Sequence, residues 1–177
     1  MARRPELALA LWCAELVNSI SIISPYVREN SDMPTALLIV DHGSRRAESN
    51  TFLDGFAVSF AEKHTYEIVE TAHMELAEPS IGVAFDACVE RGATKVVVCP
   101  FFLLPGNHWR VDIPALTQEA ADRHPGVEWL VTAPIGLHSL MAEVLAATVE
   151  GCIKAASGDG ERCKACGAEP DAACNWR

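Results

Sequence analysis

The chain has 177 residues, half of them apolar and 21% charged. That suits one compact domain whose core needs no disulfide staples, and it excludes a mini-protein, a disordered chain and a multi-span membrane protein. Fourteen Lys and Arg against 24 Asp and Glu leave a formal net charge of −10, the wrong sign for binding nucleic acid through overall charge, so an anionic ligand needs a local basic cluster.

Residues 1–34 open with Arg3 and Arg4, continue through an apolar run over residues 7–12 and close on Ser31-Asp32-Met33-Pro34. The run is too short to span a bilayer. Glu6, Glu15, Glu29 and Asp32 are more acid than a transit peptide usually carries. This N-terminal extension admits three readings: a transit peptide, a loosely ordered arm, or a wrongly assigned start.

An α/β rhythm begins at Thr35. Residues 36–40 form an unbroken apolar run of strand length that stops at Asp41-His42-Gly43-Ser44-Arg45-Arg46, which predicts a buried parallel strand feeding a loop. Phe52, Phe56 and Phe60 recur every fourth position beside Leu53 and Ala57, so the following helix is expected to bury that face. Residues 67–74 return to strand character. Glu78-Pro79-Ser80 then opens a second helix lined by Ile81, Ala84, Phe85, Cys88 and Val89 and stopped by Gly92. Residues 95–99 are the clearest buried strand, and they lead through residues 100–104 into Pro105-Gly106-Asn107-His108, a turn by composition. Asp112 and Pro114 suit the start of a third helix with Ile113, Leu116 and Ala120 inside, ended by His124-Pro125-Gly126. Residues 127–133 supply a fourth strand. Leu137, Leu140, Met141, Val144, Leu145 and Val149 then mark a last amphipathic helix. Four alternations predict an α/β three-layer sandwich, a mostly parallel four-stranded sheet flanked by helices as in flavodoxin-like folds, with ligands collecting at the carboxyl ends of the strands.

His42 follows the first strand and His108 lies in the loop after the third, while Glu75 and Glu78 occupy the loop after the second. Three consecutive loops thus offer imidazole, carboxylate and imidazole to one point, a donor set suited to iron, cobalt or nickel with coordination positions left open. The alternative is that these histidines are ordinary surface polarity, which is how His64, His73, His124 and His138 read. A histidine phosphatase would need an arginine where Asp41 stands. No Gly-rich phosphate loop of the dinucleotide or Walker type occurs.

Seven cysteines form two groups. Cys13, Cys88 and Cys99 sit singly among apolar neighbours and read as small hydrophobes. Cys152, Cys163, Cys166 and Cys174 crowd the end of the chain, where four thiolates suit either zinc or a two-iron two-sulfur cluster, and spacing does not decide between them. Disulfides are the further alternative, disfavoured in a reducing compartment.

Three stretches carry a family resemblance: Asp41-His42-Gly43-Ser44-Arg45, then His73-Met74-Glu75-Leu76-Ala77-Glu78-Pro79-Ser80, then residues 100–109 with Asp112-Ile113-Pro114. Together, and in this order, they resemble the signatures of the small class II tetrapyrrole chelatases, most of all the plant-type branch that inserts ferrous iron into sirohydrochlorin. Asp41 fits that branch, whereas many prokaryotic relatives resemble Gly-His-Gly-Ser there. The resemblance implies a chelatase domain over residues 35–152 with one lobe per subunit of a homodimer, followed by a Cys-rich tail over 153–177. It implies His42 as base, His42, Glu78 and His108 as metal ligands, and residues 103–108, namely Leu103, Leu104, Pro105, Gly106, Asn107 and His108, along the macrocycle. Arg45 and Arg110, with Arg46 beside them, are suited to the substrate's carboxylates. The same likeness implies that Cys152, Cys163, Cys166 and Cys174 hold a 2Fe-2S cluster, that the protein works in the plastid stroma, and that its partners are sirohydrochlorin and a divalent metal ion rather than nucleic acid or membrane. Two other functions remain beside this one: a cobaltochelatase of cobalamin synthesis and a non-catalytic metal carrier.

Overall fold

A computed structural model describes residues 34–157, so the expectations for residues 1–33 and for Cys163, Cys166 and Cys174 lie outside the described residues. Four strands, β1 (Thr35–Asp41), β2 (Ile68–His73), β3 (Lys95–Pro100) and β4 (Glu128–Val131), alternate with helices α1 (Ala47–Ala61), α2 (Ile81–Glu90), α3 (Ile113–Ala121) and α4 (Met141–Ala156). All the strand pairs are parallel, in the order β2-β1-β3-β4. Leu38 of β1 lies opposite Glu70 on one side and Val98 on the other.

The unbroken apolar run of β1 has a simple cause: as a central strand it is covered on both faces. Ala36, Leu38 and Val40 join Ile68, Val96 and Val98 under Ala84, Phe85 and Cys88 of α2 and Ile113, Ala120 and Ala121 of α3. Leu37 and Ile39 face the other way, onto Leu53 and Ala57 of α1. Phe85 is wholly buried, and such a side chain contributes about 1.5–3 kcal/mol of transfer free energy. Burial pushes the Cys88 thiol up to about 12, with the nearby Glu70 charge adding to the effect.

Three expectations change. On α1 the buried face is Leu53 and Ala57, while Phe52 is 71% and Phe56 39% exposed; Phe60 packs against that buried face, and Phe56 meets Phe101 with ring centroids 4.8 Å apart. His108 does not sit in a plain turn but opens a π-helical turn, His108–Asp112, that leads into α3. Finally α4 forms, but none of its residues is buried, and Val144, Leu145, Val149 and Ile153 stay exposed. Among the described residues no helix is long and apolar enough to cross a membrane.

The face beneath α2 and α3 is held by a polar clasp. Asp86 of α2 accepts from Arg123 at 2.9 Å and from His124 at 2.6 Å, and the His124 ring stacks on Phe85. Burial raises the Asp86 carboxyl, but the hydrogen bonds and charges of His124 and Arg123 outweigh it and hold the group below the ordinary carboxylate value. A depressed carboxyl contributes stability that is complete above its unfolded pKa and is lost as pH falls through the folded one. Asp86→Asn is therefore expected to lower the urea midpoint at pH 7. With the side chain 38% exposed, screening limits the loss to about 1 kcal/mol, and the gap between variant and parent should close as the pH is taken below the ordinary carboxylate range.

Candidate metal and macrocycle site

The chain leaves β1 for β2 on one side and comes back to β3 on the other, so the carboxyl ends of β1 and β3 are the switch point of the sheet, where the outgoing loops part and leave a crevice. An open cleft of about 600 Å³ occupies that place, lined by residues 41–44, by Ser49 and Asn50 of α1, and by residues 101–104. The loop after β1 is fixed at both ends. Gly43 donates its amide to Asp41 Oδ1 at 2.8 Å, and Asn50 both accepts from the Ser44 amide and donates to the Ser44 carbonyl, each at 2.9 Å. Under the loop after β3, the Gly136 amide donates to the Phe102 carbonyl at 3.0 Å, and a Cβ at Gly136 would overlap the Leu103 carbonyl.

These loops bring the two expected histidines together. The rings of His42 and His108 meet edge to face with centroids 5.4 Å apart. His108 Nδ1 lies 2.7 Å from Asp112 Oδ2, one helical turn on. A carboxylate only accepts, so Nδ1 carries the proton and Nε2 presents its lone pair, the usual arrangement behind a metal-binding imidazole. His42 Nε2 contacts Glu75 Oε1 at 2.6 Å, and its Nδ1 lies 3.3 Å from the Gly43 carbonyl oxygen. An acceptor at each ring nitrogen gives both N–H bonds of an imidazolium a partner.

The carboxylate beside His42 is thus Glu75 rather than Glu78. Glu78 accepts from the Ser80 amide at 2.7 Å, where α2 begins. The sequence places both acids in one loop and does not say which turns inward. Leu76, with φ +67°, lies between them. Among the described residues no set of three His, Cys, Asp or Glu side chains stands ready around a cation; His42 and Glu75 are in direct contact at 2.6 Å.

Of the remaining expected residues, Leu103 and Leu104 are exposed at the cleft, 63% and 79%, and with Phe101 and Phe102 they form an apolar shelf. Pro105, Gly106 and Asn107 continue it as exposed chain. Arg45 is exposed on the loop after β1. Arg110 stands over the Trp109 ring, 5.8 Å from its centroid, and Trp109 is itself anchored by a 2.9 Å bond from Nε1 to the Thr132 carbonyl. Cys152 is half-buried on α4.

The sequence profile of the CbiX family matches residues 36–151, which takes in every strand and both histidines. The chain belongs to the CbiX family. Within it, the chloroplastic sirohydrochlorin ferrochelatase of Arabidopsis thaliana is 52% identical over 130 residues, 73% of this chain and 58% of that protein. The sirohydrochlorin cobaltochelatase of Priestia megaterium is 38% identical over 113 residues, 62% of this chain and 36% of that protein. This chain therefore spans little more than half the length of the first and about a third of the second. Among solved structures, the sirohydrochlorin chelatase SirB of Bacillus subtilis subspecies spizizenii in complex with cobalt superposes with a TM-score of 0.62 at 31% identity, over 67% of this chain and 50% of that one. The CbiX fold is thus present here as a single sheet with its two imidazoles at the switch point.

Two residues of the site have roles that the sequence does not reveal. Asp112 is legible there only as a helix start, although its four-residue spacing from His108 is the signal for a shared helical face. Asp41 speaks against a phosphatase and for the plant-type branch, with nothing in its spacing to show that it meets His73.

Proposed function

We propose that this chain inserts ferrous iron into sirohydrochlorin to form sirohaem. The observation that carries the reading is the pairing of His42 and His108 at 5.4 Å across the β1–β3 crevice, beside an exposed apolar shelf. Metal insertion requires a cation to pass from protein ligands to four ring nitrogens while two pyrrole protons leave. Imidazole serves both steps, since it binds borderline metals and takes up protons near neutrality. His108, with Nδ1 tied to Asp112, offers Nε2 to the metal. Glu75 takes the place expected for Glu78, supplying negative charge beside His42, and His42 receives a proton from the macrocycle. Leu103 and Leu104 give the ring a flat apolar wall, and Arg45 and Arg110 stand within the flanking loops to meet its carboxylates.

The test follows the absorption of sirohydrochlorin after anaerobic addition of ferrous iron or cobalt. The expected result is a shift of the free-macrocycle bands with iron, faster than without protein. A shift only with cobalt establishes the cobaltochelatase reading instead, which the 38% identity to a cobaltochelatase and the likeness to a cobalt-bound chelatase support. Metal binding with unchanged bands would mean a carrier.

Three finer readings go with this one. A homodimer is supported by the exposed apolar row of α4, and sedimentation of the full chain checks it. A 2Fe-2S cluster on Cys152, Cys163, Cys166 and Cys174, or zinc in its place, is supported by the four-thiol donor set; such a cluster would give the anaerobic protein visible charge-transfer bands that zinc lacks. A plastid location rests on the likeness to a chloroplastic relative, and a fusion of residues 1–34 to a fluorescent reporter would test it.

A further inference from the structure

His73 is a buried ionisable group that neither the core nor the metal-insertion chemistry accounts for. It is the last residue of β2, only 2% exposed, in a position where an apolar side chain would fill the same volume at no polar cost. Its Nδ1 lies 2.6 Å from Oδ1 of Asp41, the last residue of β1 and its partner in the parallel register. The same carboxylate oxygen accepts the Gly43 amide. Beyond this pair the two loops are laced together. Met74 donates to the Asp41 carbonyl at 2.9 Å and Glu75 to the His42 carbonyl at 3.2 Å, and Gly43 packs directly on the His73 Cβ and the Glu75 carbonyl. The reactive side chains follow at once: His42 is one residue past Asp41, and Glu75 two past His73.

We propose that His73 and Asp41 are positioning residues that join the loops after β1 and β2 and so fix the backbone from which His42 and Glu75 reach a cation. Neither is offered as a metal ligand: Asp41 borders the cleft, but its Oδ1 is taken up by His73 and the Gly43 amide. The Asp41 carboxylate bridges an imidazole from one loop and an amide from the other, so losing either member leaves the loops joined only by two backbone bonds. Partners behind metal-binding groups act in this way, and their loss typically weakens metal affinity about 10–100-fold. The apolar wall of the cleft comes from residues 101–104 in the loop after β3, whereas the loop after β1 that the pair anchors carries His42. The pair should therefore act on metal affinity and turnover more than on macrocycle binding.

This inference rests on the chelatase reading for its kinetic arm and not for its metal-binding arm. The full chain is titrated with cobalt(II), and the weak visible bands of nitrogen- and oxygen-bound cobalt are followed apart from the near-ultraviolet bands of cysteine-bound cobalt, with His42→Ala as the reference for loss of the site. His73→Phe and Asp41→Asn are each expected to weaken the visible-band affinity about 10–100-fold and to lower kcat by more than they raise KM for sirohydrochlorin. His73→Asn, whose amide N–H stands where Nδ1–H stood, should restore most of both. Parental cobalt affinity in His73→Phe and Asp41→Asn would overturn the proposal, as would a loss expressed only in macrocycle KM, or a His73→Asn protein that melts like the parent and recovers nothing. If His73→Phe fails to fold, Asp41→Asn decides alone, since that side chain is 25% exposed and tolerates an isosteric amide. If the parent inserts no metal, the chelatase reading falls while the cobalt titration still judges the pair.

Discussion

His42→Ala is expected to lower kcat for metal insertion roughly 10²–10⁴-fold, the usual contribution of a positioned proton acceptor. The variant should fold, because the His42 side chain is 42% exposed and belongs to neither core cluster. The substitution removes the ring that faces His108 and releases Glu75. Under the proposed function, two roles are lost together: one nitrogen ligand for the cation and the acceptor for a pyrrole proton. Comparison with Glu75→Gln separates them, since the amide leaves the imidazole in place and withdraws only the charge beside it; a smaller loss is expected there. Anaerobic single-turnover absorption measurements on both variants provide the check. Insertion at the parental rate by His42→Ala would show that the proton leaves by another route.

Gly43→Ala is expected to damage fold and site at once. Gly43 has φ +81°, in the left-handed region that an L side chain enters at about 1–2 kcal/mol. A Cβ there would also overlap the Glu75 carbonyl oxygen and press on the His73 Cβ. Glu75 cannot simply retreat, because its own amide is bonded to the His42 carbonyl. The combined loss should reach about 2–3 kcal/mol, near the upper end for ordinary substitutions, lowering the melting temperature by about 4–12 °C. Activity should fall nearly as far as in His42→Ala, since the loops after β1 and β2 are forced apart. Gly92→Ala is the control: Gly92 has φ +97° and nothing within 4 Å of the point where a methyl group would stand, so it carries the backbone cost without the overlap and should keep its activity. Equal melting and activity in the two variants would mean that the seam between the loops gives way freely.

Strands were legible because burial on both faces leaves no room for polar residues: β1 and β3 read as apolar runs, and their limits lie within a residue or two of expectation. Their order was legible only as a class, since periodicity says nothing about which strand is central. The histidines could be found because each follows a strand and glycine or turn residues surround it. Glu75 could not be told from Glu78, because their directions depend on backbone angles inside one short loop, with Leu76 at positive φ between them. The phenylalanines of α1 misled for a different reason. An amphipathic pattern gives an apolar face but not the neighbour it meets, and here Phe52 and Phe56 stay exposed, Phe56 against Phe101, instead of filling the core. The apolar row of α4 raises the same ambiguity, since a stripe of Val and Leu reads alike whether it meets its own sheet or another surface.

The neighbouring placement of β1 and β3 bears on how the site comes into being. His42 and His108 are separated by a β-α-β crossover, an intervening strand on the far side of β1, and the loop after β3, so no local piece of chain can hold both. The proposed cation site is absent until that long excursion has closed and the central pair has docked. Occupancy by metal is then coupled to assembly of the whole sheet: whatever free energy the cation gains at the two rings is withheld from every partly formed state and credited only to the finished one.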